Sequence, residues 1–506
     1  MVEKGFVYLV GAGPGRADLI TVRGADVLKI ADCIICDKLA NPALLKYTRA
    51  DAEIIPVPKR IGKGSATQQE INKLLVEKAS GGRILVRLKG GDPCIFGRIA
   101  EEIQVLNEAG IGFEIVPGIT AGIAISSYAG IMLTDRQYSS QVVFITGREA
   151  EGKEISSIDW DLLAKFSGTL VFYMGVGNLG AITEKLIGNG LSPDTPAAVI
   201  ANVTFPAQRI VRATLENIRN ECDREKIEPP AIIIIGQAAK CEINFDWFMK
   251  QPLFGKNILV TRDAPGNVEF AEKIISRGGN PISFETFRIK PLTESNEFLQ
   301  ALTKFHEYQW IIFTSRNGVK IFFEAMGKLK KDVRVFASAK IACIGSQTAA
   351  ALQQYGIKAD FIPSIFTSEE FGKQLINFTN IKYKKVLLLR SQIASNELVE
   401  ILAQGGAKVE DIAIYTAVMQ KGDSVSLEKK IGSGEIDWVT FASPSAVKGF
   451  FENISSDIVN SSKINVASIG PVTSKELESH GVGINITANE HTLEGLLDAI
   501  EQVSIF

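Results

Sequence analysis

Histidine and cysteine are scarce in this chain of 506 residues, which contains three histidines and six cysteines. The histidines, His306, His480 and His491, all lie in the second half. Six cysteines over this length do not make the framework of a disulfide-stabilised domain. Cys33 and Cys36 have CxxC spacing, but two isoleucines separate them within a strand-like run, and no second Cys/His pair lies nearby to complete a site. We therefore expect two buried core thiols, no metal site and no Ser-His catalysis.

Long apolar runs and an excess of one charge are also missing. The apolar stretch at 6–10 stops at the glycine-rich turn 11–15, which predicts a buried strand rather than a signal peptide. No run approaches the ~20 apolar residues of a membrane span. The formal net charge is -2, whereas proteins that live on nucleic acid normally carry a basic excess. We therefore expect a soluble, cytoplasmic protein that binds neither nucleic acid nor membrane.

Strand-like runs alternate with helix-period segments along the whole chain, which is typical of an α/β fold. Hydrophobic residues make up 46% of the chain, enough for more than one core at this length. In the first half, strands are predicted at 6–10, 33–36, 84–88, 142–146, 170–174 and 231–235. Helices are predicted to begin near Ala17, Thr67, Ile99 and Asn178. At 245–256 the pattern resets in the aromatic segment FDWFMKQPLFGK, which predicts a short docked connection.

The second half contains an internal repeat. Three segments recur with related sequence, IIFTS at 311–315 as VTFAS at 439–443, IGSQT at 344–348 as IGPVT at 469–473, and LVTR at 259–262 as LLLR at 387–390. The offsets are 128, 125 and 128 residues, which predicts two similar α/β lobes with a cleft between them. The Ser/Thr/Gly turns in these segments predict helix N-caps, and helix N-termini also suit carboxylates.

The glycine-rich turn GAGPG at 11–15 allows two alternative interpretations. It could bind a dinucleotide, with Asp37 as the acid on the ribose, or it could be a bare structural turn. Arg16 occupies the place of the third Rossmann glycine, and Pro14 lacks the N–H that pyrophosphate would need. A second loop, KGGDP at 89–93, favours a different ligand, since paired glycines let the backbone approach it and Asp92 can accept from hydroxyls or offset a cation.

These loops resemble those of the uroporphyrinogen-III C-methyltransferases of the tetrapyrrole methylase family. The resemblance runs over about 6–236 and includes KGGDPCIFGR at 89–98, VPGIT at 116–120, FYMG at 172–175, and 206–209 with the upstream Thr204. It implies a two-lobed α/β fold, usually a homodimer, that holds S-adenosylmethionine in a cleft. The implied cofactor contacts are Pro14, Gly90, Gly91, Asp92, Ile95, Thr120, Ala121, Met174, Val203 and Ala231. Departures from the family pattern are Arg16 for Asp, Cys94 for an aromatic, Asp135 for His and Val203 for Gly, where the contact depends on backbone.

The same resemblance implies the residues that move protons after methyl transfer. Asp37 follows the strand 33–36 at an end where open α/β sheets place ligands, and its implied role is proton acceptor; the alternative is a helix cap. Lys59 is implied as proton donor; the alternatives are a solvated charge or a clamp on a substrate carboxylate. Basic residues near the motifs could form a positive funnel for a polycarboxylate substrate: Lys59, Arg60, Lys89, Arg98, Arg136, Arg148 and Arg209.

The second half resembles the uroporphyrinogen-III synthases over about 257–505. The motifs are ILVTR at 258–262, FTSRNGV at 313–319, IGSQTA at 344–349, VEDIAIYTA at 409–417, FASPSAV at 441–447 and IGPVTSKEL at 469–477. The resemblance implies two lobes, 254–288 plus 417–506 and 289–416, joined by two crossing strands. It implies a dehydration of hydroxymethylbilane without a cofactor, in which the last ring is inverted and the macrocycle closes to give uroporphyrinogen III. Tyr415 is the candidate to assist departure of the hydroxyl group; the alternative is an ordinary aromatic residue that lines the cleft. The candidate substrate-binding residues are Thr314, Ser315, Thr348, Ser443, Ser445 and Thr473.

The sequence therefore predicts a bifunctional α/β enzyme with a methyltransferase at 1–252 and a synthase at 253–506. Its expected product is precorrin-2, for sirohaem or cobalamin biosynthesis. One alternative is a related methylase acting on ribosomal RNA or on the diphthamide precursor. Another is that one half has become a tetrapyrrole-binding module without activity.

Overall fold

The computed structural model describes residues 5–49, 51–57, 59–60, 64–65, 67–79, 81–148, 157–240, 246–336 and 339–504. Among these residues no helix has the length and apolar character needed to cross a membrane. The first half has strands β1 (Phe6–Gly11), β2 (Cys33–Cys36), β3 (Glu53–Pro56), β4 (Lys59–Arg60), β5 (Gly64–Ser65), β6 (Ile84–Lys89), β7 (Gly112–Val116), β8 (Val142–Thr146), β9 (Thr169–Tyr173), β10 (Pro196–Ala201), β11 (Arg209–Thr214) and β12 (Ala231–Ile235). Its helices are α1 (Val22–Ile30), α2 (Gln68–Ala79), α3 (Ile99–Glu108), α4 (Ala121–Tyr128), α5 (Trp160–Ala164), α6 (Leu179–Gly188) and α7 (Ile218–Arg224).

The first sheet of this half is parallel, in the order β3-β2-β6-β1-β7. Parallel sheets are normally buried on both faces, and an apolar cluster covers each face here. Because side chains alternate between faces along a strand, Cys33 joins one cluster and Cys36 packs against the other. Cys33 is a buried core thiol as predicted and Cys36 is half-buried; burial raises the pKa of both to about 11. Within the described ranges, no group of three or more His, Cys, Asp or Glu is placed to hold a metal.

The second sheet has the order β11-β10-β12-β9-β8 and is mixed: β8 and β9 pair parallel, and the other neighbours pair antiparallel. Apolar clusters cover both of its faces as well. All predicted strands of the first half are present, with ends that differ by no more than one residue. One predicted helix start is wrong, since Ala17 begins a short 3-10 helix and α1 begins at Val22. The reason is the N-cap Thr21, whose Oγ1 accepts a hydrogen bond from the N–H of Gly24 at 3.1 Å.

The second half contains two further sheets. Its strands are β13 (Asn257–Val260), β14 (Asn280–Ser283), β15 (Phe287–Pro291), β16 (Trp310–Phe313), β17 (Lys340–Cys343), β18 (Lys385–Ser391), β19 (Lys408–Met419), β20 (Trp438–Phe441), β21 (Asn465–Ser468) and β22 (Ile486–Thr487). Its helices are α8 (Ala264–Ser276), α9 (Asn296–Thr303), α10 (Arg316–Lys328), α11 (Ser346–Gln353), α12 (Ser368–Phe378), α13 (Glu397–Gln404), α14 (Ser424–Gly432), α15 (Pro444–Phe451), α16 (Ser456–Ser461), α17 (Pro471–Ser479) and α18 (Leu493–Ser504). The predicted α/β fold class is confirmed.

Each sheet of the second half belongs to one lobe. Lobe one has the parallel sheet β14-β13-β20-β21-β22, and lobe two has the sheet β15-β19-β18-β16-β17. The strands β15 and β19 pair antiparallel, with Phe287 opposite Met419 at one end and Pro291 opposite Tyr415 at the other. Phe287 and Met419 pack in the core of lobe one, whereas Tyr415 belongs to the core of lobe two. The chain therefore changes lobes along this two-stranded ribbon.

The segment 246–256 joins the two halves and is packed on both. The indole N–H of Trp247 donates to the carbonyl oxygen of Ser127 at 2.7 Å. Phe248 is buried, with its ring centroid 5.0 Å from that of Tyr128. Leu253 belongs to the core of lobe one. The prediction of a docked connection is confirmed for these residues.

Candidate active sites

The glycine loops after β1 and β6 meet at the carboxyl edge of the parallel sheet. The N–H of Gly91 donates to the carbonyl oxygen of Gly13 at 2.8 Å, and the N–H of Gly13 donates to the carbonyl oxygen of Gly91 at 3.2 Å. A Cβ on Gly11 would lie 2.6 Å from the Cα of Gly118 and 2.7 Å from the oxygen of Gly91. Glycine at these positions therefore lets three loops approach one another. This edge is where open α/β sheets bind ligands.

Asp92 ties two of these loops together. Its Oδ2 accepts from the N–H of Gly118 at 2.9 Å, and its Oδ1 accepts from the N–H of Cys94 at 2.8 Å. A carboxylate oxygen can accept more than one hydrogen bond. Asp92 therefore shapes the loop and still has capacity for a ligand hydroxyl or cation.

Tyr173, at the end of β9, connects the second sheet to this edge. Its hydroxyl lies 2.9 Å from the Oγ1 of Thr120 and accepts from the N–H of Gly122 at 2.9 Å. A Cβ on Gly122 would lie 2.3 Å from that hydroxyl, so the first turn of α4 fits around the tyrosine. Sequence reasoning missed Tyr173; a phenol at the end of the apolar run 170–172, beside the predicted contact Met174, was the available signal.

The remaining predicted cofactor contacts lie on both sides of this junction. Ile95 packs against the apolar cluster that contains Tyr173 and Val203. Met174 follows Tyr173 with a left-handed φ of 55° and is 53% exposed. The side chain of Val203 is buried, so a contact there falls to its backbone. Ala231 belongs to the cluster on the opposite face of the sheet, so it too can reach the same ligand only through backbone atoms.

The residues at this edge fit a small polar ligand that is approached by backbone. Gly91 has a left-handed φ of 68°, and the nearest heavy atom to a Cβ placed there is the Cα of Thr120 at 3.7 Å. Gly90 packs against Leu39, since a Cβ on Gly90 would lie 2.6 Å from the Cβ of Leu39. The N–H of Ala121, at the first position of α4, has no partner within the helix. The donors, the Asp92 carboxylate and the space beside Gly91 suit the charged and hydroxyl groups of S-adenosylmethionine.

Replacing Gly91 by valine is expected to weaken binding of S-adenosylmethionine at least about tenfold, or about 1.4 kcal/mol. A branched side chain would fill the space beside Thr120 and would also strain a left-handed backbone. Calorimetric titration measures the affinity. The control is Gly81→Val, because Gly81 has a left-handed φ of 93° with open space around its Cβ. Equal affinities of both variants and the unsubstituted protein would remove the Gly91 loop from the site.

Asp37 lies beside the glycine loops and belongs to a buried network of charges. Its N–H donates to the carbonyl oxygen of Leu88 at 2.9 Å, which places it next to the end of β6. Its Oδ1 accepts from the Nη2 of Arg87 at 2.5 Å. The Nε of Arg87 lies 3.2 Å from the Oε1 of Glu102, which also accepts from the Nζ of Lys89 at 2.8 Å. Arg87, Lys89 and Glu102 are 2%, 3% and 0% exposed, so Asp37 is the member of this network that faces the site.

The predicted positive funnel loses one member in the structure. The prediction that Lys89 contributes to the funnel is wrong, because its ammonium group is buried against Glu102. Four arginines of the same set have described side chains, and all four are exposed: Arg98, Arg136, Arg148 and Arg209. Lys59 forms part of β4, but its side chain and that of Arg60 lie outside the described residues. The role of Lys59 as proton donor stays a prediction.

In the second half, four helices begin at the turns that the repeat predicted. They are α10, α11, α15 and α17, and each follows a strand of its lobe. The Oγ of Ser315 accepts from the N–H of Gly318 at 3.0 Å, and the Oγ of Ser443 accepts from the N–H of Ala446 at 3.2 Å. The N-cap prediction is therefore confirmed for these two serines. Thr314 and Ser445 lie beside them, half-buried.

Thr348 and Thr473 occupy equivalent positions at the start of α11 and α17. They are 5% and 3% exposed, so both side chains are turned into their lobes. These two positions could therefore bind a substrate only through the backbone N–H groups of the first helical turn.

Tyr415 lies on the crossing strand β19 and is 8% exposed. Its hydroxyl is 2.8 Å from the Oγ of Ser315, the N-cap of α10. Burial raises the pKa of Tyr415, while hydrogen bonds with Ser315 and Ser391 act in the opposite direction. Because the pKa is raised above its ordinary value, the phenol is protonated at neutral pH and is able to donate a hydrogen bond.

Two family models match the chain, tetrapyrrole (corrin/porphyrin) methylases over residues 7–219 and uroporphyrinogen-III synthase HemD over residues 268–498. The porphyrin biosynthesis protein HemD of Ruminiclostridium josui is 36% identical over 502 residues, which cover 99% of each chain. The uroporphyrinogen-III C-methyltransferase of Bacillus subtilis (strain 168) is 40% identical over 356 residues, 70% of this chain and 73% of that protein. The S-adenosyl-L-methionine-dependent uroporphyrinogen III methyltransferase of Methanosarcina barkeri is 48% identical over 232 residues, 46% of this chain and 91% of that protein.

Proposed function

Because the chain belongs to the porphyrin-biosynthesis family that joins a tetrapyrrole methylase to a uroporphyrinogen-III synthase, we propose that it converts hydroxymethylbilane into precorrin-2. It is a bifunctional enzyme of tetrapyrrole biosynthesis. The second half closes hydroxymethylbilane to uroporphyrinogen III, and the first half methylates uroporphyrinogen III twice. The observation that carries this conclusion is the 36% identity that extends over 99% of both chains. Precorrin-2 would then serve sirohaem or cobalamin.

The first half uses S-adenosylmethionine, which supplies a methyl group on a sulfonium centre. The chain's task is to hold donor and acceptor in line in a site with little water, since positioning is the main effect that such a displacement needs. The methyl donor is proposed to bind between two groups of residues. These are Gly90, Gly91 and Asp92 on one side and Thr120, Ala121 and Met174 on the other. Pro14, Ile95, Val203 and Ala231 complete this proposed set.

Proton removal from the methylated ring is assigned to Asp37 and proton return to Lys59. Arg87 donates to one carboxylate oxygen of Asp37 at 2.5 Å and so orients the group. The carboxylate is 30% exposed, which leaves it accessible from the ligand edge of the sheet. This arrangement supports Asp37 as the acceptor.

The second half is proposed to hold a polycarboxylate mainly through helix N-termini. The starts of α10 and α11 in lobe two and of α15 and α17 in lobe one present free N–H groups and a positive dipole end. Thr314, Ser315, Ser443 and Ser445 would add side-chain contacts, and Thr348 and Thr473 backbone contacts. Tyr415 would donate a hydrogen bond to the departing hydroxyl.

Replacing Tyr415 by phenylalanine is expected to slow formation of the type III isomer at least about tenfold, because general-acid assistance typically contributes more than this. The fold should persist, since only one hydroxyl is lost. Isomer analysis of the product with time measures the effect. Tyr308→Phe is the control, because Tyr308 is also buried in lobe two and its hydroxyl donates to Glu410 at 2.6 Å. An unchanged rate in Tyr415→Phe would reduce Tyr415 to a packing role.

Domain limits, assembly and location are part of the same proposal. The methyltransferase is assigned to 1–252 and the synthase to 253–506, with lobes at 254–288 plus 417–506 and at 289–416. A limit at this point is supported by Phe248, which packs on the first half, and by Leu253, which packs in lobe one. Homodimerisation through the first half rests on the family resemblance, and a cytoplasmic location stays a prediction from the apolar pattern of the sequence.

The test of the function is to supply hydroxymethylbilane to the full chain with and without S-adenosylmethionine. Without it, the expected product is uroporphyrinogen III; with it, absorbance and mass should report precorrin-2. Isomer composition is decisive, because hydroxymethylbilane closes spontaneously to the type I isomer. Type I product alone would overturn the synthase assignment, and unmethylated type III product in the presence of the cofactor would overturn the methyltransferase assignment.

A further inference from the structure

Arg390 and Arg262 occupy equivalent positions of the internal repeat, 128 residues apart. Arg390, on β18 of lobe two, is 5% exposed and fully paired. Its Nε and Nη2 donate to the two carboxylate oxygens of Asp411 at 2.7 and 2.5 Å. Nη2 also donates to the Oδ1 of Asn396 at 3.2 Å, and Nη1 donates to the carbonyl oxygen of Ser395. Arg390 is thus held by a bidentate structural clamp.

The carboxylate of that clamp has no counterpart beside Arg262. In lobe two Asp411 pairs in register with Leu388; in lobe one the equivalent of Leu388 is Val260, which pairs with Ser283. A serine is neutral and too short to form a bidentate clamp on a guanidinium. Among the residues that the structure describes, the guanidinium of Arg262 has no hydrogen-bond acceptor, and its Nη1 is buried without a partner. The same position of the repeat therefore carries a satisfied arginine in one lobe and an unsatisfied arginine in the other.

The guanidinium of Arg262 lies at the junction of the lobes. It rests on the first turn of α8, where a Cβ on Gly266 would lie 2.8 Å from its Nε. The carboxylate of Glu269 lies 4.0 Å from its Nη1, and Asp263 is a second acid whose charge acts on it. Glu269 also accepts two long contacts, of 3.4 and 3.5 Å, from the Nη1 of Arg316 in lobe two. Arg316 directly follows Ser315, the hydrogen-bond partner of Tyr415, so the backbone of Arg316 lies next to the proposed reaction site.

We propose that Arg262 and Arg316 together bind one carboxylate side chain of the linear tetrapyrrole between the lobes. This inference rests on the proposed synthase function. A buried donor without an acceptor is costly, and a charge-assisted bond from a ligand carboxylate removes that cost. Glu269 holds both arginines only through contacts of 3.4 to 4.0 Å, so a closer ligand carboxylate would compete well with it. Since one arginine belongs to each lobe, the bound carboxylate would also draw the lobes together.

Replacing Arg262 by glutamine tests the subsite. We expect KM for hydroxymethylbilane to rise at least about tenfold, with a smaller change in kcat and with methylation of supplied uroporphyrinogen III unchanged. Arg316→Gln should act in the same direction. The charge-matched control is Arg334→Gln, because Arg334 is an arginine of lobe two whose side chain is 87% exposed; its KM should equal that of the unsubstituted protein. Calorimetric titration with uroporphyrin III, an oxidised ring with the same carboxylates, should show one binding event weakened about tenfold in Arg262→Gln.

Glu269→Gln separates the subsite from a mere latch between the lobes. If Arg262 acts only by holding Glu269, this variant should reproduce the rise in KM, and that result would overturn the proposal. If Arg262 binds substrate, removing the competing carboxylate should leave KM unchanged or lower it. An unsubstituted protein that makes no type III isomer would refute the synthase function itself. In that case the titration still decides the subsite, since identical uroporphyrin isotherms for the unsubstituted protein and Arg262→Gln would refute it separately.

Discussion

Replacing Asp37 by asparagine is expected to lower methylation turnover by about 10²-fold or more while binding of S-adenosylmethionine persists. Asparagine has nearly the same shape and keeps an oxygen that can accept from the Nη2 of Arg87, but it is a far poorer base. Glu102 still pairs with Arg87, at 3.2 Å, so the fold should survive. The glycine loops that are proposed to hold the cofactor contain none of the atoms that change. Single-turnover kinetics and a binding titration on the same preparation measure both quantities.

The matched control for this prediction is Asp51→Asn. Asp51 is also a carboxylate paired with an arginine, Arg49 at 2.6 Å, but its side chain is 70% exposed. Its replacement should leave turnover unchanged. If Asp37→Asn lost cofactor binding and turnover together, Asp37 would be a structural residue and the proton acceptor would lie elsewhere.

Most strands of the first half could be predicted from the sequence because their apolar runs are nearly continuous and most of them end at or near a glycine. A sheet covered by apolar clusters on both faces imposes that pattern, as in the all-apolar strand β12. The start of α1 was missed for a local reason. Ala17 begins a single 3-10 turn, and the cap of the true helix is Thr21, a residue that the apolar pattern does not distinguish.

The loops of the candidate site could be located from motifs, but the contacts that hold them could not. Nothing in the spacing of Tyr173 and Thr120 indicates that their hydroxyls meet at 2.9 Å, because the contact joins a strand of the second sheet to the residue that precedes α4. The repeat likewise predicted two similar lobes. The inequality of Arg262 and Arg390 depends on whether Ser283 or Asp411 stands on the neighbouring strand, which requires the register.

The buried charge network was missed because two of its members look like surface residues. Lys89 and Glu102 belong to types that are almost never fully buried unless paired. Arg87 was the available signal, since it interrupts the apolar run 84–88. In the structure Arg87 is 2% exposed. The network also explains why Asp37 is oriented. Its partner Arg87 forms an ion pair with Glu102, and Glu102 forms a second ion pair with Lys89.

Replacing Arg87 by methionine is accordingly expected to destabilise the first half by about 3–5 kcal/mol, the usual cost of removing one partner from a buried ion pair. Methionine fills much of the volume, but Asp37 loses its cation, and Glu102 loses one of its cations and keeps Lys89 and Gln68, at 2.8 and 3.2 Å. In calorimetry of the full chain, the transition that S-adenosylhomocysteine shifts upward reports the first half. The midpoint temperature of that transition should fall by on the order of 10 °C, while that of the other transition should not change.

Arg23→Met is the control, because Arg23 pairs with Glu114 at 2.6 Å with its side chain 53% exposed, and little or no shift is expected there. A shift in Arg87→Met no larger than in this control would mean that the network contributes nothing to stability, and the orientation of Asp37 would then need another cause.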